Sequence, residues 1–134
     1  MSGRPRILVV EDDFVLGIMM RDALSNAGFD VVGIARNAEQ ANVLASQQLP
    51  NLAVMDIRLA NGDDGIDTAI TLLQRFDLRC IFVTAQSDSE TRTRANAAHP
   101  LGWLAKPFWP NSMVGAVVGA LEVARKKAPA NPLT

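Results

Sequence analysis

An α/β fold built on a parallel sheet is the class this sequence predicts, and three observations predict it. Short β-branched runs alternate with longer amphipathic stretches, the pattern of βα repeats. Five such pairs can be counted along the chain. The first and third runs, 6–10 and 52–56, are almost continuously apolar, as strands covered on both faces must be.

Taken in order, the predicted strands are 6–10, 30–34, 52–56, 79–84 and 102–105, and the predicted helices 14–27, 38–48, 65–75, 89–98 and 111–126. In the first helix Leu16, Met20 and Leu24 recur every four residues as a core-facing stripe, with Arg21, Asp22 and Ser25 on the wet side. Gly28 stands where a C-cap belongs. The last helix assigns Met113, Val117, Leu121 and Ala124 to the sheet, leaving Gly115, Ala116, Gly119 and Val123 outside. Residues 1–127 read as one domain, and 128–134, with Pro129 and Pro132, as a short disordered tail.

At 134 residues a single core is sufficient, and 49% hydrophobic with 20% charged residues is an ordinary globular composition. Thirteen basic residues against 14 acidic give a formal charge of -1, so nothing points to nucleic acid. One cysteine, Cys80, and one histidine, His99, exclude an internal disulfide and a Cys/His zinc site. The apolar run 7–10 is too short for a signal-peptide core or a membrane span, so a cytoplasmic protein with no membrane partner is expected. Cys80 reads as a small buried strand residue, His99 as a surface residue without a role, and Arg92 and Arg94 as a solvated helix face.

Open parallel sheets bind ligands outside the carboxyl ends of their strands. Here the first strand is followed by Glu11, Asp12 and Asp13, the third ends in Asp56, the fourth in Thr84, and the fifth leads to Lys106 and Pro107. Carboxylates gathered on one edge repel unless a cation lies between them, and hard oxygen ligands suit Mg²⁺. The plainer alternative is that residues 11–13 only complement the dipole of the next helix. A carboxylate beside a metal can attack phosphorus, with Lys106 pairing the phosphoryl oxygens and the Thr84 hydroxyl donating to one of them. Singly, Lys106 reads as a surface lysine and Thr84 as a β-branched strand residue; together at one edge they argue for a site.

The segments Ile7-Leu-Val-Val-Glu-Asp-Asp13, Leu52-Ala-Val-Met-Asp-Ile57, Ile81-Phe-Val-Thr-Ala85 and Trp103-Leu-Ala-Lys-Pro-Phe108 resemble the response-regulator receiver domain of bacterial two-component signalling. The resemblance runs from residue 5 to about 126 and is to the stand-alone type. It implies a flavodoxin-like (βα)5 sandwich with strand order 2-1-3-4-5. It further implies that Asp56 is the phosphorylated aspartate, Asp12 a direct metal ligand, Glu11 a ligand through water, and Arg58 the donor of a backbone carbonyl. Mg²⁺ is the implied ion, with Mn²⁺ as a substitute.

By the same resemblance Thr84, Ala85 and Lys106 contact the phosphoryl group, Thr84 and Trp103 form a switch, and Pro107 follows a cis bond. Arg58 and Gln86 border the path of a hydrolytic water. The implied donor is a sensor histidine kinase or a histidine phosphotransfer protein. The fourth helix, fifth strand and fifth helix, with Arg92, Trp103, Gly115 and Gly119, are the implied face for a downstream target or a second copy of the chain. Such a chain signals by protein contact or onward phosphotransfer, and assists its own phosphorylation and dephosphorylation without being an enzyme.

Two features depart from the family pattern. The loop 58–65 lacks the usual proline and is one residue longer before its glycine, and Trp103 replaces a tyrosine or phenylalanine. Two other classes compete: a phosphorylation-independent interaction module, and a small phosphatase using Asp56 as nucleophile. The second wants another aspartate where Arg58 stands.

Overall fold

The computed structural model describes residues 3–85 and 88–127. Its strands are β1 (Arg6–Val10), β2 (Asp30–Ala35), β3 (Leu52–Asp56), β4 (Cys80–Thr84) and β5 (Gly102–Ala105). They form one sheet in the order β2-β1-β3-β4-β5, and every neighbouring pair is parallel. The helices are α1 (Phe14–Asn26), α2 (Ala38–Gln48), α3 (Gly65–Phe76), α4 (Ser89–Ala95) and α5 (Pro110–Lys127), with 3-10 turns at Ala60–Gly62 and Asn96–Ala98. The predicted fold class and all ten main elements are therefore present. The fourth helix is shorter than expected because its last turn tightens to 3-10 geometry. The predicted tail, 128–134, lies outside the described residues. Among the described residues no helix is long and apolar enough to cross a membrane.

Strand alternation builds two cores, one on each face of the sheet. Leu8, Val10, Ala53, Met55, Cys80 and Phe82 point to one face, and Trp103 packs at its edge. Ile7, Val9, Leu52, Val54, Ile81 and Val83 point to the other, where they meet Met20 and Leu24 of α1 and Met113, Val117 and Ala120 of α5. The α1 stripe thus packs as expected. On α5 two assignments are corrected: Ala116 packs against the core while Ala124 is not among the residues packed there, and Val118, 48% exposed, lies outside beside exposed Gly115 and Gly119. The true helical period of 3.6 carries Ala116 inward beside Met113 and Ala120.

Helix starts follow their caps. Asp13, Asn37, Asp64 and Asp88 each accept a first-turn backbone N–H through the side chain, typically worth about 1 kcal/mol apiece. Past the end of α1, Gly28 turns the chain with a φ of 96° that suits a residue without a Cβ, and Phe29 N–H closes back on Leu24 C=O.

The segment after β3 matters most for the site. Gly65 N–H donates to Ile57 C=O at 2.6 Å, and Leu59 N–H to Asp63 C=O at 3.1 Å, so the loop folds back on the strand with Arg58 bridged to Asp64. Asn61 and Gly62 both have positive φ and make the reversal without a proline. A Cβ at Gly65 would collide with the Asp56 carbonyl oxygen and with Ile57 Cα. Gly65→Ala is therefore expected to lower unfolding free energy by about 1–3 kcal/mol. Urea denaturation measures this, and a wild-type midpoint would contradict the close-approach account.

Candidate functional site

Strand register sets the site as a staircase. Val10 pairs with Met55, so Glu11 and Asp56 emerge at one level; Asp56 pairs with Val83, and Thr84 with Ala105, which brings Thr84 and then Lys106 to the same edge. Backbone hydrogen bonds from Glu11 to Ala35 and from Lys106 to Thr84, at 2.8 and 2.9 Å, continue the ladder to the chemistry-bearing residues. Thr84 shares the face of Phe82, against which Trp103 packs with ring centroids 5.1 Å apart. The Lys106–Pro107 peptide is cis.

Glu11, Asp56, Thr84 and Lys106 line a cleft of about 480 Å³ together with Asp12, Asp13, Ile57, Arg58, Ala85, Asp88 and Thr91. Glu11 and Asp56 are buried, at 1% and 5% exposure. Lys106 Nζ donates to Asp56 Oδ2 at 3.0 Å and lies 3.1 Å from Glu11 Oε1. The second contact is an ion pair without hydrogen-bond geometry, so Glu11 Oε1 is a buried oxygen lacking a hydrogen-bond donor. Asp56 Oδ1 accepts the Arg58 N–H at 3.3 Å, and Glu11 Oε2 accepts the Asp13 N–H at 3.1 Å.

The electrostatics follow from that crowding. Burial pushes the Glu11 carboxyl up to about 7; the Asp13 N–H opposes the shift, the Asp56 carboxylate adds to it, and Lys106 opposes it. Burial works against the Lys106 charge, but its hydrogen bond to Asp56 and the charges of Asp56 and Glu11 outweigh that and hold the ammonium above its ordinary range. One oxygen each from Glu11, Asp12 and Asp56 lie within 4.8 Å of one another. Three carboxylates at that spacing, one with a buried oxygen held by the Lys106 ion pair without a well-aligned hydrogen bond, suit a divalent cation with oxygen ligands.

The sequence profile of the Response regulator receiver domain matches residues 7–118. The chain belongs to the response regulator receiver family. It is 32% identical over 116 residues to the phyllosphere-induced regulator PhyR of Methylorubrum extorquens, covering 86% of this chain and 43% of that protein. It is also 32% identical to the phosphate regulon transcriptional regulatory protein PhoB of Rhizobium meliloti, covering 90% and 54%. Among solved structures, the signal receiver domain of a modulated diguanylate cyclase from Desulfovibrio desulfuricans is 33% identical, with a TM-score of 0.83, covering 93% of this chain and 99% of that one. The receiver chain spans about half the length of the curated relatives it matches.

Receiver domains bind Mg²⁺ in an acidic pocket, and in this receiver Glu11, Asp12 and Asp56 could hold it. Asp13, by contrast, caps α1 through a 3.0 Å bond from Leu16 N–H, as the helix-dipole reading has it. Of the arginines expected on a solvated face, Arg92 lies 4.4 Å over the Trp103 ring and Arg94 pairs with Asp64 at 2.7 Å. Both are exposed yet tie α4 to its neighbours. Asp88 and Thr91 were not expected at the cleft. Their D-x-x-T spacing reads as a helix cap, and that spacing alone does not announce a place in the cleft. Gln86 lies outside the described residues. Cys80 is buried, which pushes its thiol well up and makes it inert.

Metal binding should depend on pH in a defined direction. A Glu11 carboxyl that titrates higher folded than unfolded stabilises the metal-free receiver below about pH 4, and this contribution is lost as pH rises toward about 7. Mg²⁺ needs the ionised carboxylates and removes the penalty. The melting-temperature gain from millimolar Mg²⁺ is thus expected to be several degrees at about pH 8 and near zero at about pH 5. A gain that is the same at both would contradict the shared acidic pocket.

Proposed function

We propose that this receiver accepts a phosphoryl group on Asp56 from the phosphohistidine of a sensor histidine kinase or a histidine phosphotransfer protein. The observation that carries this reading is the convergence of the Glu11, Asp12 and Asp56 oxygens within 4.8 Å, with the Lys106 ammonium 3.0 Å from Asp56. An Asp56 carboxylate oxygen forms the new bond to phosphorus as the phosphorus–nitrogen bond to histidine breaks, and the departing imidazole takes a proton from solvent. Lys106 moves its hydrogen bond from the carboxylate to a phosphoryl oxygen. Thr84 and the Ala85 N–H would receive the others, and Asp12, Asp56, Glu11 and the Arg58 carbonyl would hold the ion. Mg²⁺, or Mn²⁺ in its place, neutralises charge on the transferring oxygens.

The readout we assign to α4, β5 and α5. Thr84 moving toward the phosphoryl group vacates space beside Phe82, and the half-buried Trp103 stands against that residue under Arg92. The exposed strip of Gly115, Val118 and Gly119 on α5 completes the face for a target protein or a second copy. Incubation with acetyl phosphate and Mg²⁺, followed by intact-mass analysis, tests the reading: one added phosphoryl group is expected, and none without Mg²⁺. No gain from any phosphodonor would contradict it.

A further inference from the structure

α4 is too short to hold itself together and too polar to be held by burial. A seven-residue helix is not stable alone in water. In its run Ser-Glu-Thr-Arg-Thr-Arg-Ala only Ala95 is buried, followed by Ala98 in the next turn, so polar contacts must set where it sits. Arg92 and Arg94 stand two positions apart, about 200° around the helix, and leave it on opposite flanks. Arg94 reaches to α3, with Nη2 donating to Asp64 Oδ2 at 2.7 Å and Nη1 to Asp67 Oδ1 at 3.4 Å. Arg92 reaches to β5, 4.4 Å over the Trp103 ring. Asp64 also connects this helix to the phosphoacceptor. Its Oδ1 accepts the Ile66 N–H at 2.7 Å as the cap of α3, and its backbone is bridged to Arg58, whose N–H donates to Asp56 Oδ1 at 3.3 Å.

Resting on the phosphoacceptor reading, we propose that the Arg94–Asp64 pair is a conformational clasp: it fastens α4 to the acceptor loop, and phosphorylation of Asp56 opens it. An acyl phosphate leaves the Asp56 carbonyl without its carboxylate charge, so the Arg58 N–H is held less tightly and the loop end that carries Asp64 relaxes. Movement of Trp103 as Thr84 turns to the phosphoryl group withdraws the ring from under Arg92 at the same step. Both flanking contacts of α4 then weaken together, and a helix with so little buried surface has no other arrangement to fall back on. Arg94 is not among the residues lining the cleft. It is a positioning residue, acting through Asp64.

Hydrogen exchange read by mass spectrometry over residues 88–98 tests this in wild type, Arg94→Gln, Asp64→Asn and the double variant, each with and without acetyl phosphate and Mg²⁺. Asparagine caps helices about as well as aspartate, so Asp64→Asn keeps α3 and removes the charge that grips Arg94. Without the phosphodonor each single variant is expected to speed α4 exchange roughly two- to fivefold, the scale of an exposed ion pair, with exchange in the strands unchanged. The double variant should match the singles, since all three remove one interaction. Phosphorylation should speed the same exchange in wild type, and by a smaller factor in the variants. Wild-type exchange in both single variants, effects that add in the double variant, a rise spread over the strands, or an undiminished response to phosphorylation would each overturn the clasp. Intact mass of the same samples separates the two readings: a wild type that takes up no phosphoryl group would sink the phosphoacceptor reading and the opening step with it, whereas normal uptake with α4 exchange unmoved would sink the clasp alone.

Discussion

Asp56→Asn is expected to abolish phosphoryl acceptance completely while raising the melting temperature of the metal-free protein. The first effect follows because an amide oxygen is no nucleophile toward phosphorus and the carboxylates that could hold a metal lose a member. The second is a consequence of crowding. Glu11 and Asp56 are both buried, and the Asp56 charge contributes to pushing the Glu11 carboxyl up to about 7. Removing one carboxylate relieves that repulsion and leaves Lys106 to serve Glu11 at 3.1 Å. A gain of about 1 kcal/mol, or a few degrees, is expected without Mg²⁺. Calorimetry with and without Mg²⁺ measures it. A lower melting temperature in metal-free buffer would show that the Lys106–Asp56 bond outweighs the repulsion.

Lys106→Met should do the opposite to stability. It removes the ammonium that lies against two carboxylates whose side chains are 7% and 0% exposed. Leaving a fully buried charge without its partner costs about 3–5 kcal/mol. The cleft admits water and the Lys106 side chain is 24% exposed, so a loss of about 1–3 kcal/mol at about pH 8 is expected for the metal-free protein. The loss should be smaller near pH 5, where Glu11 is protonated and only Asp56 is left unpaired. Phosphorylation in Mg²⁺ should persist but slow by roughly tenfold or more, since a preplaced cation is lost from the transferring oxygens. An equal stability loss at both pH values would place the effect in packing of the lysine stem and not in its charge.

Sequence alone disclosed the sheet and the acid-bearing strand ends because both rest on short-range rules. Alternation marks the strands, and a carboxylate, hydroxyl or ammonium at a strand end is conspicuous beside an apolar run. The staircase of Glu11, Asp56, Thr84 and Lys106 then follows from parallel register alone. What depends on loop path was not legible. The loop after β3 closes through positive φ at Asn61 and Gly62 and close approach at Gly65, which a missing proline does not announce. Arg94 and Asp64 are 30 residues apart in sequence and meet only because α4 packs beside α3. Arg92 over Trp103 likewise depends on α4 lying next to β5. On α5 the swap of Ala116 for Val118 reflects weak contrast, since small apolar residues occupy both faces of the helix.

The central claim is that Asp56 is the phosphoacceptor. After incubation with acetyl phosphate and Mg²⁺, borohydride cleaves an aspartyl phosphate and reduces its carbonyl, leaving homoserine where the acyl phosphate stood. Peptide mass spectrometry then locates that change. The account predicts homoserine at position 56 and nowhere else, and its loss when Mg²⁺ is withheld. Reduction at another carboxylate, Asp12 or Asp13 above all, or phosphoryl uptake that leaves position 56 as aspartate, would contradict it.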